Sequence, residues 1–588
     1  MSKISSSLLL DLYDKLAQFY IVSTESLTNK TFNIGTAHVN DPESFILSNC
    51  ITGKNINPLI NGLSQIQIKD EDSYFIDLMH LGVSPQQSIS EMFCHSFREW
   101  LAPHVRGKKL VVRYLFGCQS KVTDINNDRG AKLLARLVTE LGGQFYVAVF
   151  NGSVASHKLT DKLKFINLDL QILSGEADHP IGGWNHAKMI AVNDIAAITG
   201  GHNFWDDYFA KENDPVKVAD TSLLLHGGGP TQAAHSFADH LWKCIETELP
   251  AQSSLHIFQN NAFVTTTDVP FYNTPPKPNK NEPKAHNQVQ YLSVGKLGAI
   301  DLYETLFWKD FISLGNLGAS VYWEDVAVPQ HIVAHLLSEE LEKTIELASR
   351  NAVFSTLLLN RLYNDYANDL SNVDAAERFI KSCQKIMNRE NPNPHDSSIY
   401  VRNAITRQAR ASIKVSQQKL ALPFSELGQH AEVILPYLNA KSEDGLWAVD
   451  YLFSVGDALL NNYNQDSIIS VQILLSTSKG DSGYKDSLGI AKTKRVLRNI
   501  LRALCKDSKI ADTLVNQNVE FKELDFDNLT LNHSKFWLID DTYCYLGSDN
   551  IYPGFLQEYG YVLKVNGDNN REVKAAITKY WNSYWLCL

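Results

Sequence analysis

The apolar residues change period several times along the chain, and the changes predict layers. SISEMFCHSFREWL (88–101) carries its apolar residues at helical spacing. KKLVVRYLFG (108–117) is a continuous apolar run of strand length. RGAKLLARLVTELGG (129–143) is helical again and closes on glycine, and QFYVAVFNG (144–152) reads as another strand. The same grammar returns later. YVRNAITRQARASIKVSQQKLALP (400–423) predicts a helix then a strand, SIISVQILLST (467–477) a strand, and AKTKRVLRNILRAL (491–504) an amphipathic helix with a basic face. Alternating strands and helices predict an α/β protein. TPPKPNKNEPK (274–284) has no apolar period and reads as a solvated linker.

One stretch occurs twice. WNHAKMIAVNDIAAITGGHN (184–203) and LNHSKFWLIDDTYCYLGSDN (531–550) align without a gap. They share Asn185/Asn532, His186/His533, Lys188/Lys535, Asp194/Asp541, Gly200/Gly547 and Asn203/Asn550, while the apolar residues between them vary. A repeated packing unit would keep its apolar pattern; here the reactive groups are kept. On a strand, His and Lys two residues apart face the same way. Asn193-Asp194 and Asp540-Asp541 are turn residues, so each unit predicts a hairpin that brings the Asn back beside the His and Lys. An imidazole, an ammonium and a carboxamide converging in this way suit phosphate oxygens, and two such units supply two histidines to divide nucleophilic and acid work on a phosphodiester.

Bulk properties narrow the setting. The chain has 588 residues, enough for two or more domains. Its net charge of −11 argues against a dedicated nucleic-acid binder, for which phosphate neutralisation would call for a basic surface. The eight cysteines make no CxxC pair and read as free thiols of a reducing compartment. The first residues, MSKISSSLLLDLYDKL, hold too short an apolar run for a Sec signal, and no run approaches the ~18 residues of a membrane span. The expectation is a protein of the cytoplasm, or one exported by a non-Sec route, peripheral on membranes rather than spanning them.

The motif HxKxxxxDxxxxxxGSxN resembles the signature of the phospholipase D superfamily. His533, Lys535, Asp540, Gly547, Ser548 and Asn550 match it at every position. The first copy matches at His186, Lys188, Gly200 and Asn203, and departs at Asn193, where the family usually has Asp, and at Gly201, where it has Ser. The resemblance implies two pseudo-symmetric α/β/α domains, each a central mixed sheet flanked by helices, with the active site at their interface. On this reading residues 1–85 are an N-terminal extension, 86–273 the first domain, 274–295 a linker, 296–395 a mostly helical insertion and 396–588 the second domain.

The same resemblance implies that acidic residues on following strands bond Nδ1 of each histidine; Asp220 and Glu558 are the candidates. It implies catalysis through a phosphohistidine, with His186 as nucleophile and His533 as acid and base. Lys188, Lys535, Asn203 and Asn550 would hold the phosphate, with Asn193, Asp540, Gly201 and Ser548 in support, and no metal or cofactor is called for. His202 and Asp549, at the variable position of each motif, are given no role, and the aromatics Trp184, Phe204, Trp205, Tyr208, Phe209, Tyr552 and Phe555 are assigned to packing. The expected activity is hydrolysis or transphosphatidylation of glycerophospholipids by a monomer, releasing phosphatidic acid in hydrolysis, within a cell or as an exported effector. Two alternatives stand beside it: a phosphodiesterase on DNA or RNA, and an inactive phosphoinositide-binding protein.

Overall fold

The computed structural model describes residues 8–22, 32–48, 58–68, 70–81, 87–117, 125–149, 185–203, 208, 218–248, 255–297, 345, 352–389, 392–427, 435–436, 438–479, 485–524, 531–554, 556–565 and 568–586. Thirteen strands carry the argument. Those of the first half are β1 (Ser73–His80), β2 (Lys109–Phe116), β3 (Gln144–Val149), β4 (Met189–Val192), β5 (Ala196–Gly200) and β6 (Thr221–His226). Then follow β7 (Gln288–Lys296), β8 (Ser412–Ser416), β9 (Ser470–Ser476), β10 (Val519–Leu524), β11 (Phe536–Ile539), β12 (Tyr543–Gly547) and β13 (Glu558–Lys564).

The two halves pair their strands alike. In the first half the order is β3-β2-β1-β4-β5-β6: parallel through β1, antiparallel beyond it. In the second it is β10-β9-β8-β11-β12-β13, with the same change of sense at β8. The chain is therefore α/β, with a large mixed sheet flanked by helices, as the alternating pattern predicts. Parallel neighbours need crossovers, and the helices Arg129–Glu140 and Gly489–Cys505 supply two of them. The first begins at Asp128, whose carboxylate accepts from Ala131 N at 2.7 Å, and buries Ala131, Leu134, Ala135, Leu137 and Val138 against the sheet. The basic face of the second is matched by acids: Arg498 meets Asp512 at 2.7 Å and Arg495 meets Asp444 at 3.5 Å.

A shared core joins the halves. Helix Gly228–Glu248 lays Phe237 against Tyr559 of β13 (ring centroids 4.9 Å), and Tyr561 donates to Pro230 O at 2.7 Å. Helix Arg571–Leu586 stacks Trp581 on Phe536 of β11 and hydrogen-bonds Thr221 of β6 through Tyr580. Among the described residues no helix is long and apolar enough to cross a membrane.

Two expected boundaries shift. The start of the first domain, placed at 86, falls after β1, which lies in the middle of the first strand set, so part of the expected extension is sheet. β1 is buried on both faces and lacks alternation, which makes such a run easy to miss by period. The expected linker 274–295 contains most of β7, which pairs with β13 on one side and with strand Asn33–His38 on the other. The segment before β7 is pinned rather than free: Asn279 N donates to Ile34 O at 2.9 Å. Within the expected insertion 296–395 the described residues include the helices Ala352–Asn368 and Val373–Met387; residues 298–344, 346–351 and 390–391 lie outside the described set.

Candidate active site

Each motif copy opens on a short extended segment that docks onto the other half. Asn185 makes a parallel bridge with Gln557, and His186 N donates to Gln557 O at 3.0 Å. Asn532 pairs in parallel with Ala219, and His533 N donates to Ala219 O at 2.9 Å. Gln557 and Ala219 immediately precede Glu558 and Asp220, so the backbone pairing sets each imidazole beside a carboxylate from the opposite half. His186 Nδ1 lies 2.9 and 3.0 Å from the two Glu558 oxygens, and His533 Nδ1 lies 2.7 Å from Asp220 Oδ2. With Nδ1 of His186 engaged by Glu558, its Nε2 is the nitrogen that faces the partner ring, while the His533 ring also has Lys535 Nζ 2.9 Å from both Nδ1 and Nε2. The two rings have centroids 6.3 Å apart at an interplanar angle of 71°.

The shared Asn185 and Asn532 are anchors. Asn185 Nδ2 donates to His80 O (3.0 Å) at the end of β1, and Asn532 Nδ2 donates to Ser416 Oγ and Gln417 O (both 3.0 Å) at the end of β8. The lysines are buried and bound to the carbonyls of their own histidines, Lys188 Nζ to His186 O at 2.6 Å and Lys535 Nζ to His533 O at 2.5 Å. Asn203 and Asn550 are buried as well. Neither amide atom of Asn550 has a partner among the described residues, nor has Asn203 Oδ1. Buried amides without protein partners are costly unless a ligand meets them.

The electrostatics fit an anion. Burial first, then Lys188 and Lys535, hold both imidazoles well below their usual range. Burial pushes Lys188 well down and Lys535 down to about 8. Burial raises Glu558 and pushes Asp220 up to about 7, with Lys535 opposing. A phosphate monoanion ~4 Å from one of these cations would gain roughly 4 kcal/mol at an effective dielectric of about 20. That is roughly three pH units in favour of the protonated lysines and imidazoles, while the same anion disfavours charge on Asp220 and Glu558.

The supporting positions separate. Asn193 and Asp540 sit at the hairpin turns, at the far end of β4 and β11 from the histidines, both with positive φ (42° and 53°). Asn193 accepts from Phe75 N at 2.6 Å and donates to Ser73 O at 2.8 Å; Asp540 accepts from Ala411 N at 2.8 Å and Ser412 N at 2.9 Å. Both fasten the turn to the start of the central strand, so the support that these two turn residues give is structural. Gly201 and Ser548 do flank the site. A Cβ on Gly201 would lie 2.0 Å from Asp220 Oδ1, whereas the Ser548 hydroxyl bonds Glu558 and accepts from Tyr559 N at 3.0 Å.

Five residues near the site were passed over in the sequence. Tyr208, assigned to packing, places its hydroxyl 3.0 Å from His533 Nδ1 and accepts from Asn203 Nδ2 at 3.2 Å. Asp549, given no role, binds Lys296 and Arg402 through buried ion pairs. The position of Asp549 inside the motif was the available signal; Lys296 and Arg402 had none. His202, the counterpart of Asp549, is buried with Nδ1 2.8 Å from Ser222 Oγ, and burial and Lys535 push it down to about 3. Trp184, Phe204, Trp205, Phe209 and Phe555 lie outside the described residues, while Tyr552 has Lys419 Nζ over its ring at 5.2 Å.

No family model matches the sequence. A phospholipase D from Streptomyces antibioticus is 22% identical over 393 residues, which cover 65% of this chain and 55% of that protein, so the match spans about half of the relative's length. The solved phosphatidylserine synthase of Haemophilus influenzae Rd KW20 aligns over 99% of this chain and 90% of its own, with 10% identity and a TM-score of 0.40. NucT from Helicobacter pylori aligns over 32% of this chain and 85% of its own, with 14% identity and a TM-score of 0.16. Neither superposition reaches 0.5, so the fold stands on the strand pairing above.

Proposed function

We propose that this chain is a phosphodiesterase of the phospholipase D superfamily acting on glycerophospholipids at a membrane surface, as a protein of the cytoplasm or one exported by a non-Sec route. The observation that carries the reading is the pair of imidazoles 6.3 Å apart, each with Nδ1 fixed by a carboxylate from the opposite half. The relative named phospholipase D supports the lipid as substrate class.

The chemistry follows from the groups present. Lys188, Lys535, Asn203 and Asn550 hold the phosphate oxygens. His186 Nε2 attacks phosphorus, a P–N bond forms, the P–O bond to the headgroup alcohol breaks, and the leaving oxygen takes a proton from His533 Nε2. His533, now neutral, removes a proton from water or a primary alcohol. The oxygen attacks phosphorus, the P–N bond breaks, and phosphatidic acid or the exchanged lipid leaves. Glu558 and Asp220 stabilise the positive charge that each ring carries in turn.

Fluorescent phosphatidylcholine with ethanol and a chelator tests the reading. The expected product is phosphatidylethanol, formed by the parent chain and absent from His186→Ala and His533→Ala. An alkaline denaturing quench of the parent chain during turnover, with a lipid labelled at phosphorus, should leave the label on His186, because a P–N bond survives base and not acid. Nicking of DNA with no lipid product would move the substrate to nucleic acid. Full activity in either alanine variant overturns the mechanism.

A further inference from the structure

Asp549 stands between Ser548 and Asn550, and its carboxylate is gripped from two sides. Lys296 Nζ meets Oδ1 at 2.9 Å and Arg402 Nη1 meets Oδ2 at 3.2 Å. The three residues are only 3%, 4% and 3% exposed for Lys296, Asp549 and Arg402, so this is a buried ion triad. It joins three separate segments: the end of β7, the loop after β12, and helix Ser397–Arg407. The same loop is pinned along its length, with Asp549 N donating to the Tyr545 hydroxyl at 3.1 Å and Ile551 N to Gln417 Oε1 at 3.1 Å. Arg402 also lies over the Tyr451 ring (5.5 Å) and 3.6 Å from Asp450.

Stability is a poor reason for such an arrangement. Removing three charged groups from water costs several kcal/mol each, and apolar residues of similar volume commonly replace a buried ion triad without loss. Its placement gives a better reason. Lys296 is the residue directly opposite Glu558 across β7 and β13, and Glu558 holds His186. Asn550, whose amide has no protein partner among the described residues, is the next residue after Asp549. Asp450 beside Arg402 brings the cluster near charge balance, and its reach into the site is the cation of Lys296, which acts on both His186 and Glu558, with Asp549 opposing it at His186. Among the described residues the matching position of the first half has no such device, and His202 there makes a hydrogen bond to Ser222.

We propose that Lys296, Asp549 and Arg402 form a positioning triad that fixes Asn550 against the reacting phosphate and extends the cationic field of the site to the His186–Glu558 pair. This rests on the phosphodiesterase reading above. The triad touches the phosphate through Asn550 and through its field, so Lys296 and Arg402 are positioning residues.

The test uses the full chain in the phosphatidylcholine assay, with inorganic phosphate as a competing anion. The triple variant Lys296→Met, Asp549→Leu, Arg402→Met removes the charges and keeps the volume. Folded enzyme with kcat reduced about 100-fold, the lipid KM within about threefold, and phosphate inhibition weakened about tenfold is the expected result. Lys296→Arg should recover most of the kcat, which a merely space-filling role would not require. A folded triple variant with kcat and phosphate inhibition like the parent overturns the triad. If the triple variant does not fold, Lys296→Met alone decides: parental kcat and phosphate inhibition overturn the inference, and the combined loss supports it. His186→Ala separates the two levels. A parent chain without lipid turnover sinks the phosphodiesterase reading and parental activity in His186→Ala sinks its mechanism, whereas active triad variants beside an inactive His186→Ala sink only the triad.

Discussion

Around His533 the carboxylate is Asp220, and the backbone beside it is Gly201; around His186 the carboxylate is the longer Glu558, and the backbone beside it is Ser548. The His, Lys and Asn of the repeat are the same in both halves, while the residues beside each carboxylate differ in matched pairs. A side chain at 201 would occupy the place of the Asp220 carboxylate, so the glycine and the aspartate go together. The departure of the first motif from the family pattern is therefore a steric fit to its own carboxylate. The departure at Asn193 has a different meaning: an amide there fastens the turn through Phe75 N and Ser73 O, a job that Asp540 does by accepting backbone N–H groups.

The comparison can be broken most sharply at the imidazoles. Alanine at His186 or at His533 should each lower phosphatidylethanol formation by about 10⁴-fold or more, as expected when two groups act as a unit. A variant at either site that keeps substantial turnover would show that the halves are not partners. Next in size are the exchanged carboxylates. Asp220→Asn and Glu558→Gln should each reduce kcat by roughly 10³-fold with an unchanged circular dichroism spectrum, because the wrong tautomer then faces phosphorus.

The glycine–serine difference is sharper in its asymmetry than in its size. Gly201→Ser should push Asp220 from His533 and lower kcat about 100-fold, while Ser548→Gly, which leaves the Glu558–His186 contacts in place, should cost about threefold. Equal losses would remove the steric account.

The pH profile comes next. Asp220, raised by burial to about 7, is charged only above that pH, and its hold on the His533 proton fades as pH falls through 7. Lys535, lowered by burial to about 8, is charged only below that pH, and its hold on phosphate fades as pH rises through 8. The expected kcat/KM profile of the free enzyme is a narrow bell between these limbs, falling about tenfold per unit outside it. A flat profile from pH 5 to 9 would contradict both assignments. The smallest effect belongs to the far end of the hairpin. Asn193→Asp should keep activity within about twofold and cost about 1 kcal/mol of stability, because its bond to Ser73 O is lost. Urea unfolding beside the lipid assay checks both numbers.

Much of the reacting set was legible because the repeat spells it out. His186, Lys188 and Asn203 recur as His533, Lys535 and Asn550 at fixed spacing, and a hairpin with Asn or Asp at its turn is a local structure that local residues encode. The α/β class was legible for the same reason, since periods of 2 and 3.6 are visible within a dozen residues. β1 was not, because a strand buried on both faces shows no alternation, and β7 was not, because a polar strap runs directly into it.

The sequence by itself determined which chemical groups the site contains and which short segments carry them. The tertiary structure alone decided their partners: Glu558 for His186 across 372 residues, Asp220 for His533 across 313, and Lys296 for Asp549 across 253. Hydrophobic period and turn chemistry act over one element and leave a trace in the string. A charge pair between two halves is made only when burial of the shared core brings the strands together, and it leaves no periodic trace for the sequence to show.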